Sequence, residues 1–225
     1  LMVHRLGDDT HAFHRIVPQG MTHLRTVEID GDTLYAVVDL DAPRRRFVAI
    51  DLNDPAPERW TTLIPETADV ISSVTMVNDQ FVVAWRHDAR SALAIHHIDG
   101  TFLREIALPT IGSAGVSGRR EDDTMFVSFT SYTYPSTSFL YDFKTDSLSP
   151  WSQPTLDFDP SDYETTQHFY ESKDGTRIPL FITHKRGLVL DGSNSTVLYG
   201  YGGVWAGAGP PASPPHNPRA AQRRG

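Results

Sequence analysis

Asp32-Thr33-Leu34-Tyr35-Ala36-Val37-Val38 reads as a β-strand entered through the turn Asp30-Gly31-Asp32, and it decides the fold because it recurs. The same grammar returns at Asp79-Gln80-Phe81-Val82-Val83-Ala84-Trp85 and at Asp123-Thr124-Met125-Phe126-Val127-Ser128-Phe129, a spacing of roughly 45 residues. After each copy comes a polar turn and a second apolar run: Arg46–Asp51, Ala92–Asp99 and Ser138–Asp142. A further strand closes the unit, as Thr101–Ile106 does after the Asp99-Gly100 hairpin turn. Long helical periodicity is absent. About four short strands per repeat is the signature of propeller blades. The expected fold is therefore mainly β, a partial β-propeller of about three four-stranded blades at 21–65, 66–109 and 110–153, with a remnant over 1–20. A β-sandwich of similar strands is the competing architecture, and the repeated Asp-led strand disfavours it.

Downstream the texture changes. Pro150, Pro154 and Pro160 punctuate an Asp-rich linker. Tyr163–Tyr170 and Arg177–His184 flank Lys173-Asp174-Gly175-Thr176 as a hairpin, and Ser195-Thr196-Val197-Leu198-Tyr199 reads as a further compact strand running into Gly200-Tyr201-Gly202-Gly203. From Val204 to Gly225 the composition falls to Pro, Ala, Gly and Arg, and residues 204–225 are expected to be a disordered tail.

Composition narrows the function. With 225 residues, 20 Lys+Arg against 28 Asp+Glu and a net charge of −8, the chain is a poor partner for nucleic acid or an anionic membrane. No run approaches the roughly 18 apolar residues of a membrane helix. Zero cysteines exclude a disulfide framework, thiolate zinc sites and a Cys nucleophile, and fit a reducing, cytoplasmic location. The chain begins at Leu1 rather than Met, so the missing targeting signal carries little weight.

The Gly200–Gly203 loop holds the chemistry. Glycines after a strand let backbone approach a ligand, and the Tyr201 hydroxyl between them is a neutral donor suited to an oxyanion. The loop lacks the GxGxxG spacing of a dinucleotide site. His11-x-x-His14 has ligand-like spacing without a carboxylate-rich helix, and His96 and His97 point to opposite faces of a strand, so no metal is expected. Arg44-Arg45-Arg46 reads as a solvated charge run in a hairpin turn, and Tyr132-Thr133-Tyr134 as core or as the lining of an interface.

Ser161–Thr165, Phe169–Ile182, His184–Gly187, Leu190–Gly192 and Leu198–Gly203 together resemble the prolyl oligopeptidase family of serine peptidases (peptidase S9), nearly without gaps over about 155–203. The resemblance runs more loosely back through the repeats, where Asp39–Pro43 and Val48–Leu52 also fit. It implies a seven-bladed propeller capping an α/β-hydrolase domain, with a Ser-His-Asp triad cleaving short proline-containing peptides and no cofactor. On that reading, residues 154–203 are the linker and first strands of the hydrolase domain. Tyr201 helps stabilise the oxyanion, supported by Gly200, Gly202 and Gly203, and Val204 stands where the family usually has a Phe lining the proline pocket.

Here the match stops. The family's nucleophile sits in GxSxGG, and no Ser of this chain has Gly at both −2 and +2: Ser113 has Ile111 at −2, and Ser117 has Gly115 at −2 but Arg119 at +2. The chain is expected to be catalytically incomplete, lacking Ser, Asp and His of the triad, with the family-like text broken after Gly203 by a lost frame or truncated gene. A non-catalytic propeller that binds a partner is the alternative. Three stacked blades leave sheet faces uncovered, so the isolated chain is expected to be aggregation-prone.

Overall fold

The computed structural model describes residues 1–4, 6 and 12–200. A two-residue ladder joins β1 (Met2–Val3) to β2 (His14–Arg15), and three four-stranded antiparallel sheets follow in chain order. Blade 1 is β3 (Leu24–Asp30), β4 (Thr33–Val38), β5 (Arg46–Asp51) and β6 (Thr61–Ile64). Blade 2 is β7 (Val70–Val77), β8 (Gln80–His87), β9 (Arg90–His96) and β10 (Phe102–Ile106). Blade 3 is β11 (Ser113–Ser117), β12 (Thr124–Thr130), β13 (Thr137–Asp142) and β14 (Ser147–Ser152). In every sheet each strand pairs with its sequence neighbours, the meander expected of a propeller blade.

Turn chemistry sets the register. Val77 pairs with Gln80 and His87 with Arg90, so each hairpin closes over two residues. Asn78, Asp79, Asp88 and Ala89 take φ of 52°, 50°, 45° and 65°. Positive φ at both central positions gives a turn whose twist matches that of the strands. Asn and Asp accept this conformation readily, whereas Ala89 does so at a cost.

Neighbouring sheets share their cores. Along β4, Leu34, Ala36 and Val38 join Ile16, Val17, Val48, Ile50 and Trp60 on one face. Tyr35 and Val37 turn the other way, into a cluster with Phe47, Ile71, Met76, Phe81 and Val83. The pattern repeats in β8, where Val82 and Ala84 leave that cluster for the one containing Met125, Val127 and Phe129 of β12. A strand buried on both faces reads as a continuous apolar run, which is why β4 and β8 are so uniformly hydrophobic. β12 departs from them: its second face carries Phe126 and Ser128, and Phe126 stays 42% exposed against Trp151, itself 64% exposed.

Polar contacts also cross the blades. Arg120, between β11 and β12, donates to Asp30 of blade 1 at 3.0 Å and to Asp79 of blade 2 at 2.6 Å. Those carboxylates push its guanidinium pKa up, and its hydrogen bond in turn draws the Asp30 carboxyl down. At β10, the Arg104 Nε donates to Asp146 at 2.7 Å and to the Tyr141 hydroxyl at 3.1 Å, both of blade 3.

After blade 3, Asp159 caps a short 3-10 turn, Pro160–Asp162, by accepting from Ser161 N at 2.8 Å. β15 (Tyr163–Glu171) and β16 (Arg177–Lys185) then form the expected hairpin. In its turn the Asp174 carboxylate accepts from Ser172 and Thr176, which draws its pKa down to about 2. The strand expected at Ser195–Tyr199 does not form. Its apolar pattern is right, but no described strand runs beside it to supply a ladder, and Val197 and Leu198 stand 84% exposed. Among the described residues no helix is long and apolar enough to cross a membrane.

Gly100 sits where blade 2 meets blade 1. Its φ is 89°, and a Cβ there would lie 2.2 Å from the Leu63 carbonyl oxygen. Gly100→Ala is expected to cost at least ~2 kcal/mol in urea unfolding, combining left-handed strain with overpacking. Ala89→Gly relieves the same strain without a clash and is expected to stabilise by about 1 kcal/mol.

Candidate functional site

One end of the blades faces the hairpin. The β4–β5, β8–β9 and β12–β13 connections all lie at this end, since each follows the second strand of its sheet. In the β12–β13 loop, the Ser131 hydroxyl accepts from the backbone N–H of Thr133 at 3.2 Å and of Tyr134 at 3.0 Å. Tyr134 packs edge-on against Phe129 with centroids 6.0 Å apart, and its carbonyl accepts from Ser131 N at 2.8 Å. A loop tied this tightly presents Tyr132 outward, where its ring meets Phe181 of β16 at 5.8 Å. From blade 2, the Asp88 carbonyl accepts from the Gln167 side chain of β15 at 2.5 Å. The hairpin thus rests on two blades through one aromatic contact and one hydrogen bond.

Its base is tied to the linker. Arg186 donates to the Ser161 carbonyl at 2.8 Å and lies 3.6 Å from Glu164, which also faces His184 at 3.7 Å. Phe158 packs edge-on against Tyr163 at 5.5 Å, and Arg177 stacks 3.8 Å over the Phe169 ring. Beside Asp88, the His87 ring lies 2.6 Å from Asp69.

The chain leads from this hairpin toward the Gly-rich loop. Tyr199 is half-exposed and lies near enough to Tyr132 to help push that phenol's pKa up, although burial is the larger cause. Gly200 is the last described residue. Its backbone lies outside the left-handed region and an added Cβ would meet nothing within 4 Å, so nothing described requires glycine there. Tyr201, Gly202, Gly203 and Val204 lie outside the described residues, as does His11. Tyr132 stands at the seam between blade 3 and the hairpin, with Tyr199 nearby.

No serine hydroxyl among the described residues lies within hydrogen-bond reach of a histidine, the pairing a nucleophile and its base require. The described residues likewise hold no group of three His, Asp or Glu side chains able to bind a metal. The Arg44-Arg45-Arg46 run is less solvated than its sequence implies. Arg45, at φ 73°, reaches across to donate to the Ile71 carbonyl of blade 2 at 2.9 Å, and Arg46 donates to Thr62 at 3.1 Å.

Residues 1–154 match the family model described as the N-terminal β-propeller domain of prolyl oligopeptidase. The chain belongs to the prolyl oligopeptidase family. The prolyl endopeptidase of Elizabethkingia meningoseptica is 36% identical over 183 residues, covering 81% of this chain and 26% of that protein. The dual function macrocyclase-peptidase of Galerina marginata is 29% identical over 208 residues, covering 90% and 28%. The solved structure of the Galerina marginata prolyl oligopeptidase B bound to a 35-residue substrate superposes with a TM-score of 0.77 at 28% identity, over 88% of this chain and 28% of that one. The chain thus spans about a quarter of the length of the relatives it matches, and the alignments run past residue 154 into the hairpin region.

Phe181→Ala removes the ring that Tyr132 contacts. It is expected to speed amide hydrogen exchange in β15 and β16 by about three- to tenfold, the worth of one aromatic pair, while leaving β7–β10 unchanged. Unaltered exchange in the hairpin would contradict the docking described.

Proposed function

We propose that this chain forms part of a serine peptidase that hydrolyses prolyl bonds in short peptides. It supplies three propeller blades, a linker and, over 154–203, the first strands of an α/β-hydrolase domain. The observation that carries this reading is the family match over residues 1–154, reinforced by 36% identity to a prolyl endopeptidase. In this reading the peptide lies between the blade ends and the hairpin, beside Tyr132 and Phe181. Tyr201 donates its hydroxyl proton in a hydrogen bond to the oxyanion of the tetrahedral intermediate. A neutral phenol suits the task because it stabilises developing negative charge without first binding a charged ground state. Val204 borders the proline pocket. The triad is absent from the 225 residues, so the chain alone binds peptide without cleaving it. With no cysteine to oxidise, it is suited to a reducing compartment.

Two measurements test this. The purified chain is expected to give no turnover of a fluorogenic Gly-Pro substrate. A chimera in which residues 1–203 replace the matching segment of the Elizabethkingia meningoseptica enzyme is expected to cleave it. In the chimera Tyr201→Phe lowers kcat about 10²-fold, the usual loss for one oxyanion donor. A monodisperse, folded chimera without activity, or one indifferent to Tyr201→Phe, would overturn the reading.

A further inference from the structure

Between blades 1 and 2, at the end that faces the hairpin, a cleft of about 580 Å³ opens with three guanidiniums in its wall. They converge from separate elements. Arg25 stands on β3 opposite Val37, Arg86 on β8 opposite Val70, and Arg45 in the β4–β5 turn. His23 lines the same cleft, and no carboxylate does.

Nothing acidic neutralises the three. Among the described residues none of them forms an ion pair, although the whole chain carries a net charge of −8. Arg25 and Arg45 are positioned by backbone carbonyls instead, donating to Ser72 and Ile71 of β7. Carboxylates on adjoining segments are committed elsewhere. Asp39 accepts from the Thr22 hydroxyl at 2.6 Å and His23 N at 2.8 Å, Glu66 accepts from Arg44 N at 2.5 Å, and Asp69 holds His87. A guanidinium has five N–H donors, so one carbonyl leaves most of each fork open to the cleft. Concentrating three uncompensated cations is unfavourable unless an anion joins them.

We infer that this cleft binds a carboxylate of a peptide, an acidic side chain or a free C-terminus, while the peptide lies between blades and hairpin. The inference rests on the peptidase reading above for its peptide and on the cleft itself for its charge preference. The planar forks match a carboxylate bidentately, and the volume falls within the range of small-ligand clefts. The net charge of −8 repels a polyanion such as nucleic acid, so a compact anion is favoured.

Calorimetric titration of the full chain at low salt tests this with acetylated, amidated octapeptides holding one proline and either two Glu or two Gln after it. The Glu peptide is expected to bind about tenfold more tightly, as one to two charge-assisted hydrogen bonds require. Raising the salt narrows the gap. Arg86 is exposed, so Arg86→Gln leaves the blades folded while shrinking the gap to about twofold. Arg59→Gln, in an ion pair outside the cleft, keeps the gap. A Gln peptide with a free C-terminus that binds as the Glu peptide does assigns the cleft to the terminal carboxylate, and one that binds as its amide assigns it to side chains. Equal binding of Glu and Gln peptides, no binding of either, or a gap that survives Arg86→Gln would overturn the inference. Replacing proline by Ala separates the two readings: a Glu preference that persists while proline makes no difference would count against the peptidase reading alone.

Discussion

A four-stranded sheet of this size cannot stand with two bare faces, and that constraint organises the molecule. Each of β4 and β8 sends alternate side chains into two different cores, so a blade is stabilised by the sheets on either side of it. Phe81 illustrates the dependence. It belongs to blade 2 yet packs edge-on against Phe47 of blade 1 at 4.7 Å and against Tyr35 at 5.0 Å. Burial of this kind is non-directional and holds sheets together without fixing their register. Direction comes from the crossing polar contacts, Arg120 to Asp30 and Asp79 at one end and Arg104 to Asp146 along the outer strands.

The blades were legible in the sequence because a meander is local. Each strand pairs with its neighbours in the chain, and residues such as Asp30-Gly31, Asn78-Asp79 and Asp99-Gly100 announce the turns between them. Strand pattern alone was insufficient at Ser195–Tyr199, a compact apolar run beside which no described strand supplies a ladder. Pattern and pairing are separate requirements, and only the first is written locally.

The candidate site was less legible for the same reason. Tyr132 reads as core or interface, and its role follows only from the position of Phe181 about 50 residues later. Arg45 reads as part of a solvated run, yet its hydrogen bond to the Ile71 carbonyl needs a neighbouring blade that no local rule reveals. The convergence of Arg25, Arg45 and Arg86 is likewise a property of two sheets side by side. In each case the chemistry is carried by a blade-to-blade or blade-to-hairpin seam, so the function depends on the stacking that stabilises the fold.

Native-state hydrogen exchange on Phe81→Ala tests that dependence most directly. If neighbouring sheets share one core, the loss of about 3–5 kcal/mol expected for a buried Phe appears in β4 and β5 of blade 1 as fully as in β8 and β9 of blade 2. A loss confined to blade 2, with the amides of β4 keeping their protection, would contradict the account.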